Sequence, residues 1–254
     1  MAHVLGIDIG GTGIKAAPVD TSTGQLTSPR QKLATPQPAT PAAVAKIAGQ
    51  LVRDFDWTGP TGITFPGVVA SGIVHTAANM DASWIGVDAV KLFGSETKQA
   101  ATVLNDADAA GIAEMRFGAG KGVPGTVLLL TLGTGIGSAL FIDGILVPNT
   151  EFGHIEIRGK DAEKRASEHA REEHDLSWGD WAGRVDEYLE QMEALLSPSL
   201  IIIGGGVSRK SDKFLPFLTR LRAKVVPAAL HNDAGIVGAA LAVDAATSLS
   251  AMRV

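Results

Sequence analysis

The sequence predicts an α/β protein built from two similar halves, and three observations predict it. Apolar runs of strand length, Val4 to Ile9, Val127 to Leu132 and Leu200 to Ile203, each end in glycine. Setting Val4 against Val127, an offset of 127 − 4 = 123 positions, lays VLGIDIGGTGIKAAPVD over VLLLTLGTGIGSALFID without a gap. A strand, turn and strand unit therefore occurs twice. Helical spacing alternates with the strands, over Ala42 to Arg53, Asp106 to Phe117, Trp178 to Leu196 and Asp233 to Ala246. The expected division is residues 1–105 and 106–254, with the last helix free to return to the first half.

Size and composition narrow the function classes. A chain of 254 residues, 45% apolar and 19% charged, can bury one substantial core or two small ones. A net charge of −5 invites neither nucleic acid nor an anionic membrane, so a polyanionic ligand needs a local basic patch. No apolar run reaches the ~20 residues of a membrane span, and the N-terminus reads as a strand without signal-peptide regions. A cytoplasmic protein is expected. Cysteine is absent, which excludes disulfides and thiolate-bound zinc.

The first turn, Gly10-Gly11-Thr12-Gly13, lets backbone N–H groups point into one concavity that suits an anion, with Asp8 and Lys15 adding one charge of each sign. A glycine-capped hairpin is the plainer reading, and the second copy, Thr131 to Gly135, weighs against it. Between them, Gln31 to Thr35 reads as a strand inside a proline-bearing loop. Gly62 to Val69 reads as a buried strand ending in the Pro66-Gly67 turn. Ala101 to Leu104 runs into Asn105-Asp106, either a helix cap or a carboxylate at the strand end where ligands collect in open α/β sheets.

Glu151 and His154, at i and i+3, can converge on one small polar ligand. The stretch Arg158 to Asp175 reads as the solvated side of a helix. His169 and His174 are five apart, a poor spacing for a metal on one helix face, so no zinc site is expected. Trp178 to Leu196 carries an apolar stripe, either core or a subunit contact, and in the second case the candidate face of a homodimer. Leu200 to Ser208 is a third glycine-ended strand. Arg209, Lys210 and Lys213 follow it, as solubilising charge or as neutralisers of a long anion.

Neither turn closes with Gly-Lys-Ser/Thr, which excludes a P-loop, and each is followed by a strand rather than the helix of a dinucleotide fingerprint. A β-hairpin phosphate cradle remains. DIGGTGIK, NDADAA, TLGTGIG, EFGHIE and IIIGGGVS occur in the order and kind of the ROK sugar kinases, and this resemblance spans residues 4 to 243. Most of that family follow Glu-x-Gly-His with a cysteine-rich zinc motif. This chain lacks cysteine and so resembles the zinc-free branch, the polyphosphate glucokinases and polyphosphate/ATP glucomannokinases. NMDASWIG (Asn79 to Gly86) and Leu176-Ser177-Trp178 look like that branch too.

The resemblance implies an actin-like ATPase (ribonuclease H-like) fold, two α/β lobes with a cleft between them. It implies phosphoryl transfer from inorganic polyphosphate and ATP to the 6-hydroxyl of glucose, and of mannose, with Asp106 as general base. Pro66, Gly67, Asn79, Asn105, Glu151, His154 and Glu163 would bind sugar, the match at Glu163 being the loosest. Gly10, Gly11, Thr12, Lys15, Thr131, Gly133, Thr134 and Gly135 would face donor phosphates, with Gly204, Gly205 and Gly206 near an adenosine. Asp8 would hold Mg²⁺ through water. The rivals are a strictly ATP-dependent hexokinase of the same fold, a sugar-sensing regulator, which would carry a DNA-binding segment before Val4, and a chaperone- or filament-like ATPase, which would lack the sugar set.

Overall fold

The structure, a computed structural model, describes residues 3–77 and 80–251, with side chains described as far as residue 244. The chain forms two compact units, residues 1–113 with 233–254, and residues 114–232. In the described residues no helix is long and apolar enough to cross a membrane.

The first unit contains β1 (His3–Ile9), β2 (Gly13–Asp20), β3 (Gln25–Leu26), β4 (Gln31–Ala34), α1 (Pro41–Asp54) and β5 (Thr61–Phe65). It continues with β6 (Val69–Ala70), β7 (Ile73–Val74), α2 (Ala89–Thr97), β8 (Ala101–Asn105) and the start of α3 (Asp106–Phe117). Its main sheet runs β3, β2, β1, β5, β8, with β4 also on β2. β1 and β2 form an antiparallel hairpin, while β1, β5 and β8 are mutually parallel. Parallel strands are buried on both faces, which is why Val4, Leu5, Ile7 and Ile63 are apolar without strict alternation.

The second unit contains β9 (Thr126–Leu132), β10 (Ile136–Ile142), β11 (Ile145–Val147), β12 (Glu156–Ile157), β13 (Lys160–Asp161), α4 (Glu163–Ala166) and α5 (Glu168–Glu173). α6 (Trp178–Leu196), β14 (Leu200–Gly204) and β15 (Lys224–Pro227) complete it. Its sheet runs β11, β10, β9, β14, β15, again a hairpin followed by parallel strands. Adding 123 to the bounds of β1 gives those of β9. The last helix, α7 (Ala234–Ala251), packs on β1, β5 and β8 in the first unit. A Cβ on Gly6 or Gly62 would strike the Ile236 or Ala239 carbonyl, so these two strand glycines set how closely that helix sits.

The stripe on α6 is core. Ser177 caps the helix, its hydroxyl accepting the Asp180 N–H at 3.1 Å, and Trp181, Val185, Tyr188, Leu189 and Met192 are fully buried against β9, β14 and the Phe214 region. Burying each large apolar side chain contributes about 1.5–3 kcal/mol, enough to use this face inside the unit.

Two sequence expectations change. The stretch Arg158 to Asp175 is not one helix: Arg158 and Gly159 have φ of 52° and 77° and turn β12 back onto β13, and α4 and α5 follow as short helices. Two successive positive-φ residues are what a tight hairpin needs and what a helix cannot contain. The strand expected over Leu200 to Ser208 ends at Gly204, and after Gly205 the chain enters a 3₁₀ run, Gly206–Lys213, with a kink at Lys210 (φ −111°, ψ 23°).

Candidate functional site

In the first unit the β1–β2 turn carries the first charge pair. Register sets Asp8 opposite Lys15, and Lys15 Nζ lies 3.1 Å from Asp8 Oδ2. Thr64 on β5 donates its hydroxyl to Asp8 Oδ1 at 3.0 Å and accepts the Ile9 N–H at 2.9 Å. Thr35 donates to the Gly10 carbonyl at 2.5 Å and so pins the turn. Gly10 and Gly11 are half-buried and Thr12 is exposed at the tip. A Cβ on Gly235 would come within 2.8 Å of the Asp8 carboxylate, so the start of α7 also bounds this pocket. Sequence reasoning missed Thr64 and Gly235, which have no signal of their own outside the fold.

Asp106 opens α3 at the end of β8, and its Oδ1 accepts the Ala107 N–H at 2.8 Å. Asn105 is buried and does cap the helix: its Oδ1 accepts from Ala107 and Asp108 at 2.8 and 3.0 Å. Its Nδ2 donates to the Gly67 carbonyl at 3.1 Å, tying the Pro66-Gly67 bend to β8. One N–H of that amide remains for a ligand, so capping and binding coexist at this residue. Asn79 lies outside the described residues.

In the second unit the β9–β10 turn is one residue tighter. Ile9 pairs with Ile14 in the first hairpin, Leu132 with Ile136 in the second, and Gly133 N–H closes the turn on the Gly135 carbonyl at 3.0 Å. Thr131 and Gly135 are half-buried and Thr134 is exposed. The Gly133 carbonyl accepts the His169 N–H at 3.0 Å, and Glu163 Oε2 accepts the Ile136 N–H at 3.4 Å. A Cβ on Gly135 would strike that Glu163 oxygen. Glu163 thus sits on the β9–β10 turn, an expected phosphate cradle, as well as belonging to the expected sugar set.

Glu151 and His154 flank a 3₁₀ turn, Phe152–His154, anchored from β10. Ser138 Oγ donates to the Thr150 carbonyl at 2.7 Å and accepts the Phe152 N–H at 3.0 Å. Gly153 is buried where a Cβ would meet the Ile136 carbonyl, so the turn lies flat on the hairpin. His154 Nε2 is 3.9 Å from Glu151 Oε2, and its Nδ1 is 3.3 Å from Asp161 Oδ2 on β13. Burial pushes the Glu151 carboxyl above its ordinary range, His154 offsets part of that, and the neighbouring Glu163 adds to it. His154, Asp161 and Glu163 bring one potential ligand atom each within 4.8 Å of one another. This oxygen-rich set with one imidazole is unlike the thiolate sets that hold structural zinc.

Gly204 is buried at the end of β14, with Gly205 and Gly206 exposed. Lys210 pairs with Glu168 at 3.2 Å, and Lys210 and Lys213 lie 5.7 and 5.6 Å from the centroid of the Trp178 ring, which Arg171 covers at 4.3 Å.

A profile of the ROK family matches residues 4–173. The polyphosphate glucokinase of Mycobacterium tuberculosis is 56% identical over 241 residues, covering 94% of this chain and 91% of that protein. Among solved structures, the inorganic polyphosphate/ATP-glucomannokinase of Arthrobacter sp. strain KM is similar with a TM-score of 0.93 and 49% identity, over 97% of this chain and 100% of that one. A ROK family glucokinase of Streptomyces griseus, solved with glucose and AMPPNP, is similar with a TM-score of 0.79 and 28% identity, over 94% and 98% of the two chains.

Proposed function

The chain belongs to the ROK family and has the actin-like ATPase fold, and from that premise we propose that it transfers a phosphoryl group from inorganic polyphosphate, and from ATP, to the 6-hydroxyl of glucose, in the cytoplasm, with mannose as a second acceptor. The observation that carries this reading is in the second unit, where Glu163 rests on the glycine turn between β9 and β10 and shares its surroundings with His154 and Glu151. An anion cradle adjoins a set of groups that read hydroxyls. The likeness to a polyphosphate glucokinase at 56% identity supports polyphosphate as donor.

Phosphoryl transfer asks for positioning and charge neutralisation rather than covalent chemistry from the protein. The turns of β1–β2 and β9–β10 would hold donor oxygens on backbone N–H groups, with Lys15 adding a cation. Glu151, Glu163 and His154, with Asn105 and the Pro66-Gly67 bend, would hold the sugar, each hydrogen bond contributing about 0.5–1.5 kcal/mol net. The 6-oxygen forms its bond to the terminal phosphorus as that phosphorus loses its bridging oxygen. The hydroxyl proton passes to the Asp106 carboxylate, and the shortened polyphosphate, or ADP, leaves.

Asp8 fits a hydrated Mg²⁺, being a hard carboxylate at a strand end whose two oxygens, though bonded to Lys15 and Thr64, retain acceptor capacity. Mg²⁺ bound there through water would supply charge neutralisation on the donor phosphates. A homodimer contact would have to use a face other than the α6 stripe, which the core consumes. Initial rates with pure polyphosphate and pure ATP, each against glucose and mannose, test the reading. Turnover with both donors on glucose is expected, and none with polyphosphate would leave the strictly ATP-dependent hexokinase.

A further inference from the structure

We propose that Asp161 is a positioning residue for the acceptor sugar: its carboxylate holds His154 in one tautomer and orientation, so that Nε2 is the nitrogen offered to a sugar hydroxyl. The proposal rests on the acceptor-site reading above. It begins with a chain reversal. Arg158 and Gly159, both at positive φ, fold β13 back along β12, with Glu156 opposite Asp161. The reversal returns Asp161 to the ring of His154, seven positions earlier, with Oδ2 3.3 Å from Nδ1.

The opposite side of the ring differs. Nε2 is 3.9 Å from Glu151 Oε2, beyond hydrogen-bond reach. Glu163, the other carboxylate of this group, has Oε2 on the Ile136 N–H and over Gly135. Of these three carboxylates, Asp161 is the one within hydrogen-bonding distance of the ring, and it meets Nδ1.

A neutral imidazole carries one N–H, and an ionised carboxylate only accepts. Asp161 consequently draws the proton to Nδ1 and leaves a lone pair on Nε2, in the way that a carboxylate fixes the imidazole of a catalytic triad or a metal-bound histidine. Nε2 and Glu151 then present two acceptors to neighbouring sugar hydroxyls. With the other tautomer Nε2–H would point toward Glu151, and the ring would offer a donor where the hydroxyl needs an acceptor.

The test uses the full-length protein with Asp161→Ala and Asp161→Asn. Long-range ¹⁵N correlation spectra read the tautomer of each imidazole, and His154→Gln identifies the His154 signals among the six histidines. Wild type and Asp161→Asn, whose amide oxygen still accepts, should show the Nδ1–H form, and Asp161→Ala a shift toward Nε2–H. Glucose KM should rise about tenfold in Asp161→Ala, return to within about threefold in Asp161→Asn, and leave the donor KM within about twofold. Asp161 is half-exposed on a short hairpin, and unchanged melting temperatures establish that both variants fold.

An unchanged His154 tautomer in Asp161→Ala overturns the proposal. So does a changed tautomer with an unchanged glucose KM. Should the wild type fail to phosphorylate glucose, the proposed function falls, while the spectra still decide whether Asp161 governs His154.

Discussion

The two glycine hairpins share an offset of 123 residues and a strand order, yet they are finished differently. The first carries its own charges, Asp8 against Lys15, and is held by Thr64 on β5 and by Thr35 just after β4. The second has Thr131 opposite Gly137 at the matching pair, is one residue shorter in its turn, and receives the Glu163 carboxylate from α4 on its Ile136 N–H. The same backbone cradle is thus tuned in two ways. In one copy the strands supply the charge, and in the other a later segment supplies it and also belongs to the proposed sugar set. The difference teaches that a repeat preserves what the backbone does and leaves side-chain chemistry free to diverge.

The largest expected effect lies outside both hairpins and sets the scale for them. Asp106→Asn should retain glucose binding by calorimetry while kcat falls about a thousandfold with either donor, because the amide cannot take the hydroxyl proton. Lost binding with intact turnover would remove Asp106 from that role.

The hairpins themselves should respond unequally to an added methyl. Gly135→Ala meets a carboxylate anchored on the Ile136 N–H and should raise glucose KM about tenfold, an acceptor effect from a donor turn. Gly13→Ala meets only the flexible end of Lys32 and should change either KM by no more than about twofold. Equal responses would erase the distinction between the two copies.

Smaller still, neutralising Arg209, Lys210 and Lys213 together should raise the polyphosphate KM about threefold and the ATP KM less, and the difference should shrink as salt rises. Lys210 already faces Glu168, which limits what it can give to a ligand.

The smallest effect concerns Glu151. Its folded carboxyl is pushed above the ordinary 4.5, so the fold prefers the neutral acid. That preference stabilises the protein at low pH and is lost as pH rises through the raised value. Glu151→Gln should therefore melt about 1 to 2 °C higher than wild type at pH 7, lose that advantage below pH 4.5, and bind glucose more weakly throughout. A lower melting temperature at pH 7 would show that Glu151 is instead stabilised as an anion. For the wild type, glucose binding should fall as pH drops toward the raised value, because the acceptor form of Glu151 is being protonated.

Much of this molecule was legible in residue order. The offset of 123 anticipated both hairpins, and the α6 stripe, the β8–α3 junction and the Glu151–His154 pair stand where spacing put them. Charge patterning reads the stretch after His154 as one solvated helix because by itself it cannot separate that from a hairpin and two short helices. Two positive-φ residues, Arg158 and Gly159, decide that, and arginine carries no such signal. Asn105 was read as cap or ligand group, and the amide turns out to cap α3 and to brace Gly67 at once.

What the sequence alone determined is local: strands, turns and the i, i+3 pair, because period-2 and period-3.6 burial and glycine turns act over a few residues. Tertiary structure decided which distant groups face one another. That Thr64 and Gly235 bound Asp8, that Glu163 leans on Gly135, and that Asp161 meets His154 all depend on chain reversals and helix seating. Each such meeting is set by close packing between segments far apart in the chain, and no pattern within either segment encodes it.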